Sequence, residues 1–402
     1  MVGGGPGAFI GDVHRRAALL SGGVEFVGGA FSSSPRRSRA KGRELMLDPS
    51  RVYDSVEHLI AEEGRLPTGK RVDLVTIVTP NHLHFPVAKA LLAAGIHVVC
   101  DKPMTFDVAE ARRLRRLVAQ SGRVFALTHN YTGYPMVKLA RDLVRGGRLG
   151  PVRKVVVEYP QGWLATPIER SGQKQAAWRT DPKRSGAAGC LGDIGTHAEN
   201  LAEYVTGLRI AALSADLATF VRGRRLDDDA SVLLRFAGGA RGVLLASQVS
   251  VGEANGLTLR VYGEEGGLRW RQETPETLEV TSLDGPETIW RRGDPNVVAA
   301  SPAAARATRL PAGHPEAFLE AFATIYANAC DTIRARIAGE SPDPLALDFP
   351  TVEDGLRGMI FVETAVKNAA STEKWTRMLR LPPTRRAAAR IRAATGRRGR
   401  SS

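Results

Sequence analysis

Residues 72–104, VDLVTIVTPNHLHFPVAKALLAAGIHVVCDKPM, decide the fold of this chain. The run VDLVTIV is continuously apolar and rich in β-branched residues, which is typical of a parallel strand buried on both faces. The turn TPN ends that strand, residues 85–94 predict a helix, and Gly95 stands where a helix C-terminal cap belongs. IHVVC predicts the next buried strand, which ends in the turn DKP. Ligands of open parallel sheets bind just beyond such strand ends, so Lys102 is a candidate for chemistry, although a lone loop lysine is usually only solvated.

The length and composition indicate a globular protein of two domains. The chain has 402 residues, of which 43% are hydrophobic and 24% charged, as in ordinary soluble proteins. No apolar run approaches the ~20 residues of a membrane span, and the sequence MVGGGPGAF does not have the pattern of a signal peptide. Three widely spaced cysteines predict neither a disulfide framework nor a metal site. We therefore expect a cytoplasmic protein without a membrane partner.

The positive charge is concentrated at the C-terminal end. The net charge is +14, and residues 376–402 contain nine arginines but no lysine or acidic residue, which leaves +5 (14 − 9) for the first 375 residues. We predict that 376–402 is a basic, disordered tail. Such a tail can touch phosphate polymers nonspecifically, but it carries no sequence readout, so no specific nucleic-acid partner is expected.

The first residues contain the glycine pattern of a dinucleotide-binding turn. GGGPGA fits G-x-G-x-x-A, in which Gly3 makes the tight turn, Gly5 lets the backbone approach a pyrophosphate, and Ala8 lets helix and strand pack closely. Phe9 and Ile10, which follow directly, are added as cofactor-binding candidates. Only two residues precede the first glycine, whereas such a strand needs about five. We therefore expect that the chain begins inside the strand or that the true start lies upstream.

The residues after the second predicted strand, VEFVGGAF, bear on the choice of cofactor. NAD enzymes commonly place an acid here for the ribose hydroxyl, whereas an arginine accommodates the 2′-phosphate of NADP. This chain has Ser32, Ser33 and Arg37 and no acid in this segment. NAD and NADP both stay open, with a weak preference for NADP. The remaining cofactor-binding candidates follow the later strands of the same domain: Thr79, Pro80, Asn81, His84, Asp101, Lys102 and Asn130.

The rest of the chain predicts a second domain. VFALTHN predicts the last strand of a Rossmann-type, doubly wound parallel α/β domain in residues 1–128. Residues 129–375 predict an α+β domain with an open, mainly antiparallel sheet, in which hairpins fill 209–291. Two long helices, 315–338 and 352–370, have apolar spacing suited to packing on that sheet. The other face of the sheet is the candidate surface for a homodimer or homotetramer.

Two segments of the second domain carry candidate site residues. Residues 160–190 predict a long loop in which Lys174, Trp178 and Arg179 either contact a polyhydroxylated ligand or only pack and solvate; the two interpretations are equally weighted. GDIGTHAENLAEYVTG predicts a helix that begins near Asp193. Asp193 and His197 are four residues apart and would share one face of it. An isolated helical histidine is more often structural.

Taken together, TPNHLH, CDKP and the D-x-x-x-H spacing resemble the Gfo/Idh/MocA family, named for glucose-fructose oxidoreductase and inositol dehydrogenase, and the resemblance extends to about residue 375. The family usually has glutamate-lysine-proline at the strand end, where this chain has Asp101. The resemblance implies NAD(P)-dependent hydride transfer at a hydroxyl or carbonyl carbon of a sugar, cyclitol or related polyol. It implies catalytic roles for Lys102, Asp193 and His197, with His197 as the general acid/base.

The resemblance leaves two points open. Asn130 and Tyr131 depart from the family's commonest residues, and Tyr131 is retained as a substrate-binding candidate. One alternative function is a noncatalytic NAD(P)-binding sensor of the same fold, which the presence of the complete catalytic set disfavours. Another is a reductase of a nonsugar carbonyl or an imine.

Overall fold

The computed structural model describes residues 1–381, and its first part is a four-stranded parallel sheet with the strand order β1-β2-β3-β4. The strands are β1 (Val2–Gly3), β2 (Leu74–Val78), β3 (His97–Cys100) and β4 (Phe125–Leu127). The helices are α1 (Phe9–Leu20), α2 (Pro35–Glu44), α3 (Val56–Arg65), α4 (His84–Ala93) and α5 (Val108–Ser121), with 3₁₀ turns at Pro49–Arg51 and Asn81–Leu83.

The segment that decides the fold has the predicted order of strand, turn, helix and strand. β2 and β3 pair in parallel with Ile77 opposite Cys100, and both of these side chains are fully buried. Gly95 follows α4 with a φ of +77°, a left-handed conformation that favours glycine at a helix end. The two strand ends therefore bring the TPN and DKP turns to the same edge of the sheet.

The second predicted strand, VEFVGGAF, is not a regular strand, and that prediction is wrong. The segment contributes only isolated parallel bridges, Val2 to Ala30 and Gly29 to Val52. The neighbouring strand β1 is only two residues long, Val2–Gly3, so it offers few residues with which the segment could form a regular ladder. The Ala30 N–H still donates to Met1 O at 2.9 Å. The segment therefore occupies the expected place beside β1.

The second part of the structure is a nine-stranded mixed sheet with the order β12-β11-β10-β9-β5-β8-β7-β6-β13. Its strands are β5 (Val152–Pro160), β6 (Ile210–Ala218), β7 (Asp229–Phe236), β8 (Arg241–Ser247), β9 (Thr258–Gly263), β10 (Gly266–Arg271), β11 (Thr277–Ser282), β12 (Thr288–Arg291) and β13 (Thr376–Arg377). The described pairs are antiparallel except β5 with β8. The predicted open, mainly antiparallel sheet is confirmed.

The helices of the second part lie before, within and after its strands. They are α6 (Pro135–Arg145), α7 (Lys174–Arg179), α8 (Pro182–Ser185), α9 (Thr196–Thr206), α10 (Pro295–Ala300), α11 (Pro302–Ala307), α12 (Phe318–Ile337) and α13 (Val352–Ala369). Shorter turns are the 3₁₀ segments Asn130–Gly133, Ile168–Ser171 and Pro344–Leu347 and the π-helical segment Leu191–Gly195.

The long helix α12 does not pack where the sequence placed it. Its apolar residues Phe322 and Ile325 join a core with Val13 of α1 and with Val99 and Ala126 of the parallel sheet. The reason is that the first domain leaves that face of its sheet open, and α12 buries an apolar stripe there. The prediction that this helix covers the second sheet is therefore wrong.

The C-terminal end of the described chain is more ordered than predicted. β13 pairs with β6, with Thr376 opposite Leu213, and the Met378 N–H donates to Ala211 O at 2.9 Å. The predicted start of the basic tail at 376 is thus too early, because this segment completes the edge of the sheet. The rest of the predicted tail, 382–402, lies outside the described residues.

Candidate active site

A cavity of about 800 Å³ opens at the carboxyl ends of the parallel strands. This is the edge at which open α/β sheets bind ligands. Twelve of the residues predicted to bind a dinucleotide line it: Gly3, Gly5, Ala8, Ile10, Ser32, Ser33, Arg37, Thr79, Pro80, Asn81, Asp101 and Lys102. The structure therefore brings most of the sequence candidates to one place.

The glycine turn has the shape that a dinucleotide requires. Gly3 has a φ of +87°, and a Cβ on it would lie 2.7 Å from Val78 O. A Cβ on Gly5 would lie 2.7 Å from Phe31 O, so side chains there would fill the cradle. The close approach of helix and strand occurs at Gly11, where a Cβ would lie 2.5 Å from the Gly4 Cα. The prediction that Ala8 serves this purpose is wrong, because Ala8 precedes the helix as its N-cap.

Three cofactor-binding candidates lie away from the cavity. Phe9 is 63% exposed at the first turn of α1. His84 is buried beneath the two strand-end turns, where its ring nitrogens lie 2.8 Å from the carbonyls of Thr79 and Pro103. Asn130 is 2% exposed, in the turn after β4. His84 thus braces the turns that carry Asn81 and Lys102, and its predicted direct cofactor contact is corrected.

Asp101 is held inside the first domain. Its Oδ1 accepts the Lys102 N–H at 2.9 Å and the Thr128 hydroxyl at 3.1 Å. His14 Nε2 of α1 lies 3.7 Å from the same oxygen. Burial alone would raise the pKa of Asp101, but the neighbouring His14 and the charge of Lys102 lower it to about 2. The shorter acid therefore fixes the backbone of the turn that presents Lys102.

Side chains from three separate parts of the chain donate hydrogen bonds to Asp193. Lys102 Nζ donates to Asp193 Oδ1 at 2.7 Å and also to its main-chain carbonyl at 2.7 Å. Arg179 Nε and Gln248 Nε2 donate to Oδ2 at 3.1 and 2.9 Å. Burial alone would raise the pKa of Asp193, but the charges of Lys102 and Arg179 hold it well below its usual value. Asp193 is thus a fixed carboxylate that positions Lys102.

The backbone that carries Asp193 is not a regular α-helix. Leu191–Gly195 forms a π-helical turn before α9 begins. Asp227 anchors this turn, because its two carboxylate oxygens accept the N–H groups of Gly189 and Leu191 at 2.6 and 2.8 Å. Such π-helical turns are frequent at functional sites. Asp193 therefore points to Lys102.

The side chains around His197 are, in contrast, aromatic and imidazole rings. Its Nδ1 lies 3.4 Å from Nδ1 of His129, the residue that follows Thr128 at the end of β4. The Tyr131 ring packs edge-on against it, with the centroids 4.9 Å apart. Burial, followed by the charges of Lys102 and His129, lowers the pKa of His197 well below its usual value. His197 is therefore neutral at neutral pH, as a general base must be.

The candidate Tyr131 belongs to a polar network beside His197 whose other members, Tyr159, Gln161 and Asn255, were missed by the sequence analysis. The hydroxyls of Tyr131 and Tyr159 share a short hydrogen bond, and the Tyr159 hydroxyl donates to Asn255 Oδ1 at 2.8 Å. Gln161 Nε2 donates to the same oxygen at 2.8 Å. Burial raises the pKa of Tyr131 to about 12, so it stays protonated. No sequence motif marks these residues, because only the folded sheet brings them together.

The predicted loop 160–190 contains two short helices, so it is more structured than expected. Its residue Lys174 donates to Pro6 O at 3.2 Å, and Arg37 donates to the same carbonyl at 3.4 Å. Lys174 thus lies against the glycine turn, on the cofactor side of the cavity, and its placement as a substrate residue is corrected. The Arg179 guanidinium lies 4.3 Å from the Trp178 ring centre, and both residues line the cavity.

The described residues contain no cluster of three or more side chains arranged to hold a metal ion. Within the same part of the chain, no helix is long and apolar enough to cross a membrane.

Comparison with known proteins identifies matching families for both parts of the chain. A family model described as an oxidoreductase family with an NAD-binding Rossmann fold matches residues 1–129, and one described as the GFO/IDH/MocA C-terminal domain matches residues 137–269. The chain is 30% identical to the uncharacterized oxidoreductase YfiI of Bacillus subtilis over 93% of this chain and 95% of that protein.

Several solved structures are similar to nearly the whole chain. An oxidoreductase from Sinorhizobium meliloti is 45% identical, with a TM-score of 0.84 over 94% of this chain and 98% of that one. An inositol dehydrogenase homologue from Azotobacter vinelandii, in complex with NAD⁺, is 35% identical, with a TM-score of 0.88 over 94% and 96%. Another structure of such a homologue from the same organism contains NADH and myo-inositol, at 34% identity and a TM-score of 0.85 over the same shares.

The matched models and relatives cover both domains, and the cavity and its glycine turn fit a dinucleotide. The chain belongs to the Gfo/Idh/MocA family and is an NAD(P)-dependent dehydrogenase that acts on CH–OH groups.

Proposed function

We propose that the protein oxidises a ring hydroxyl of a cyclitol or monosaccharide and reduces the corresponding ketone in the reverse direction. The observation that carries this proposal is the juxtaposition of Lys102, fixed by Asp193, with His197 beside a network of hydroxyl and amide groups. Tyr131, Tyr159 and Asn255 can exchange hydrogen bonds with several substrate hydroxyls. The likeness to a protein crystallised with myo-inositol supports a cyclitol as the first class to test.

Residues of the first domain that line the cavity would hold the cofactor. The glycine turn with Gly3 and Gly5 would take the pyrophosphate, Ser32 and Ser33 the adenosine ribose, and Asn81 the nicotinamide end. The nicotinamide would supply the acceptor or donor of the hydride. Every other step belongs to the protein's own side chains.

In the oxidative direction, the hydroxyl proton of the substrate moves to Nε2 of His197. This atom makes no hydrogen bond within residues 1–381, whereas Nδ1 is engaged with His129. An N–H of Lys102 stabilises the negative charge that develops on the substrate oxygen. Asp193 cannot take the proton, because its pKa is held far below neutral. Its function is to fix the lysine.

We propose that the cofactor phosphates lie against a group of three cations. Arg37, Lys174 and Arg184 line the same cavity. Burial has the largest effect in lowering the pKa of Lys174, and the nearby charges of Arg37 and Arg184 lower it further. The arginine beside Ser32 and Ser33 favours NADP. An Arg37→Leu variant that loses affinity for NADP but not for NAD supports this preference; equal losses place Arg37 at the pyrophosphate instead.

We also propose a homo-oligomer that forms through the outer face of the nine-stranded sheet. Leu233 of β7 and Leu245 of β8 are half-exposed on adjacent strands, and Tyr262 of β9 is half-exposed beyond β5. Exposed apolar patches mark association surfaces. Light scattering of the wild type and of Leu233→Arg tests this. A smaller assembly in the variant supports the surface, and an unchanged mass refutes it.

The experiment that tests the function is a panel of inositols and monosaccharides with NAD and NADP, followed by the absorbance of the reduced nicotinamide. We expect turnover with at least one cyclitol or sugar. The control is the His197→Ala variant, which should lose about 10²–10⁴-fold in kcat on the same compound. Turnover of nonsugar carbonyls or imines alone would contradict the proposed substrate class.

A further inference from the structure

Two neutral histidines meet at the base of the candidate site. His129 and His197 approach through their Nδ1 atoms at 3.4 Å, with the rings nearly perpendicular at 83°. Both are buried, at 2% and 6% exposure. Burial lowers the pKa of His129 to about 3 and that of His197 well below its usual value. The contact therefore joins two uncharged imidazoles.

An Nδ1 to Nδ1 hydrogen bond between neutral rings needs a proton on one of these atoms and a lone pair on the other. If His129 donates, His197 carries its only proton on Nε2 and cannot accept another there. If His197 donates, its Nε2 has a free lone pair. Only the second arrangement lets His197 take the hydroxyl proton, since the first would require the proton to be accepted by an atom that already carries one.

We propose that His129 is a positioning residue that accepts the Nδ1–H of His197 and so fixes the tautomer in which Nε2 is the base. This inference rests on the proposed function of His197. When the proton arrives, His197 becomes an imidazolium that keeps its Nδ1–H, and His129 Nδ1 continues to accept it. On reduction of a ketone, the same Nε2–H returns to the oxygen. His129 touches neither substrate nor cofactor in this scheme.

The backbone around His129 is built to hold the ring still. Its carbonyl accepts the Thr132 hydroxyl at 2.9 Å, at the start of the 3₁₀ turn Asn130–Gly133. A side chain at Gly133 would collide with the backbone of Ala321 in α12, so the turn lies flush against that helix. The charged groups that face His129 are Lys102, Asp101, Asp354 and Arg357. Two are acidic and two are basic, so their effects on the pKa of His129 oppose one another. The hydrogen bond of the His129 ring within residues 1–381 is the one to His197.

The first test is spectroscopic and needs no substrate. The chain has eight histidines, so selective nitrogen-15 labelling gives a resolvable set of ring signals, and a His197→Gln variant assigns those of His197. We expect His197 to be protonated at Nδ1 in the wild type and to lose that preference in His129→Leu. A wild-type His197 protonated at Nε2, or an unchanged His197 signal in the leucine variant, overturns the proposal.

The second test uses a matched pair of substitutions. Asparagine and leucine have nearly the same shape, but His129→Asn places an acceptor oxygen where Nδ1 lies, and His129→Leu does not. We expect the leucine variant to lose about 10- to 100-fold in kcat, with KM and cofactor affinity retained. We expect the asparagine variant to stay within about threefold of the wild type. Equal kcat values for the two variants contradict the proposal.

The outcomes separate this inference from the proposed function. If His197→Ala is inactive while both His129 variants are fully active, only the role of His129 is removed. If His197→Ala retains turnover, the proposed function of His197 itself fails. In that case the spectroscopic result still decides whether His129 sets the tautomer.

Discussion

Asp193 and Asp348 are two buried carboxylates with almost the same surroundings and, in our account, different functions. Asp193 pairs with Lys102 at 2.7 Å and Arg179 at 3.1 Å. Asp348 pairs with Lys138 at 2.7 Å and Arg141 at 2.6 Å. In both, burial would raise the pKa, and the two cations lower it instead; for Asp348 it reaches about 2.

The difference lies in what the lysine can reach. Lys102 lines the cavity at the strand ends, whereas Lys138 is 2% exposed and its Nζ faces only Asp348 and the Tyr204 hydroxyl within residues 1–381. A perturbed carboxylate is thus not sufficient to identify an active site. What distinguishes a catalytic carboxylate from a stabilising one is whether its paired lysine reaches a ligand cavity.

The largest expected effect is on the proton acceptor beside the Asp193 cluster. His197→Ala should lower kcat by about 10²–10⁴-fold, because a positioned general base is lost. Lys102→Ala should lower it by a similar factor, and the double variant should lose far less than the product, since the two act as a unit. Steady-state kinetics on a substrate from the panel measure this. Fully multiplicative losses would show that the two residues act independently.

The Asp348 cluster should respond in stability and not in turnover. Lys138→Met removes one cation from a buried pair and should lower the free energy of unfolding by about 3 kcal/mol. Turnover per folded molecule should be unchanged. Urea unfolding together with kinetics at low temperature gives both quantities. A specific loss of kcat in this variant would place Lys138 in the catalytic machinery and contradict the assignment of the Asp348 cluster to stability alone.

Acid should weaken the same cluster. The folded pKa of Asp348 is about 2, below the ~3.9 of an unfolded aspartate, so its stabilisation is present above pH ~4 and is lost as the pH falls toward 2. The contribution is about 2–3 kcal/mol. Asp348→Asn should therefore flatten the fall in unfolding free energy over this range. An unchanged pH dependence in the variant would assign the acid sensitivity to other groups.

Asp193→Asn should have a smaller effect on rate than removal of Lys102 or His197. Asparagine keeps an acceptor oxygen for the lysine but loses the charge that fixes it, so we expect a loss of about 10- to 100-fold in kcat. The control is Asp348→Asn, which should leave kcat unchanged. A loss in KM alone would indicate that Asp193 binds substrate and does not position the lysine.

The smallest expected effect concerns the cation group at the glycine turn. Lys174→Met should weaken cofactor binding by about three- to tenfold, because an exposed lysine contributes a screened attraction to phosphate. The loss should shrink at high salt. Fluorescence titration with NAD and NADP at two ionic strengths measures this. A variant with unchanged affinity at low salt would remove Lys174 from the cofactor site.

The local part of the fold was predictable from the sequence, because it depends on neighbours in the chain. The strands around Ile77 and Val98, the left-handed Gly95 and the serine cap of α3 at Ser55 follow from runs, turns and caps. The glycine turn and Lys102 were found in the same way. Each is recorded in the sequence by a short pattern.

The remaining features of the fold and the site depend on contacts between distant segments of the chain, and no short sequence pattern predicts those contacts. The spacing of Asp193 and His197 predicted that they share one face of a helix, but a π-helical turn directs Asp193 to Lys102. The partner of His197 is His129, which lies 68 positions away. Likewise, the sequence does not distinguish Gly11 from any other helical glycine. Only the folded structure shows that the turn at Gly4 lies against it.

The most direct test of the account compares Lys102→Met with Lys138→Met, the same substitution in the two carboxylate clusters. We predict that Lys102→Met loses about 10²–10⁴-fold in kcat while cofactor affinity is retained. Its unfolding free energy should also fall, because the buried Asp193 loses a paired cation as Asp348 does. Lys138→Met should lose stability and keep its turnover. Near-normal turnover in Lys102→Met, with the protein folded and cofactor bound, would contradict the claim that the Lys102–Asp193 pair carries the reaction.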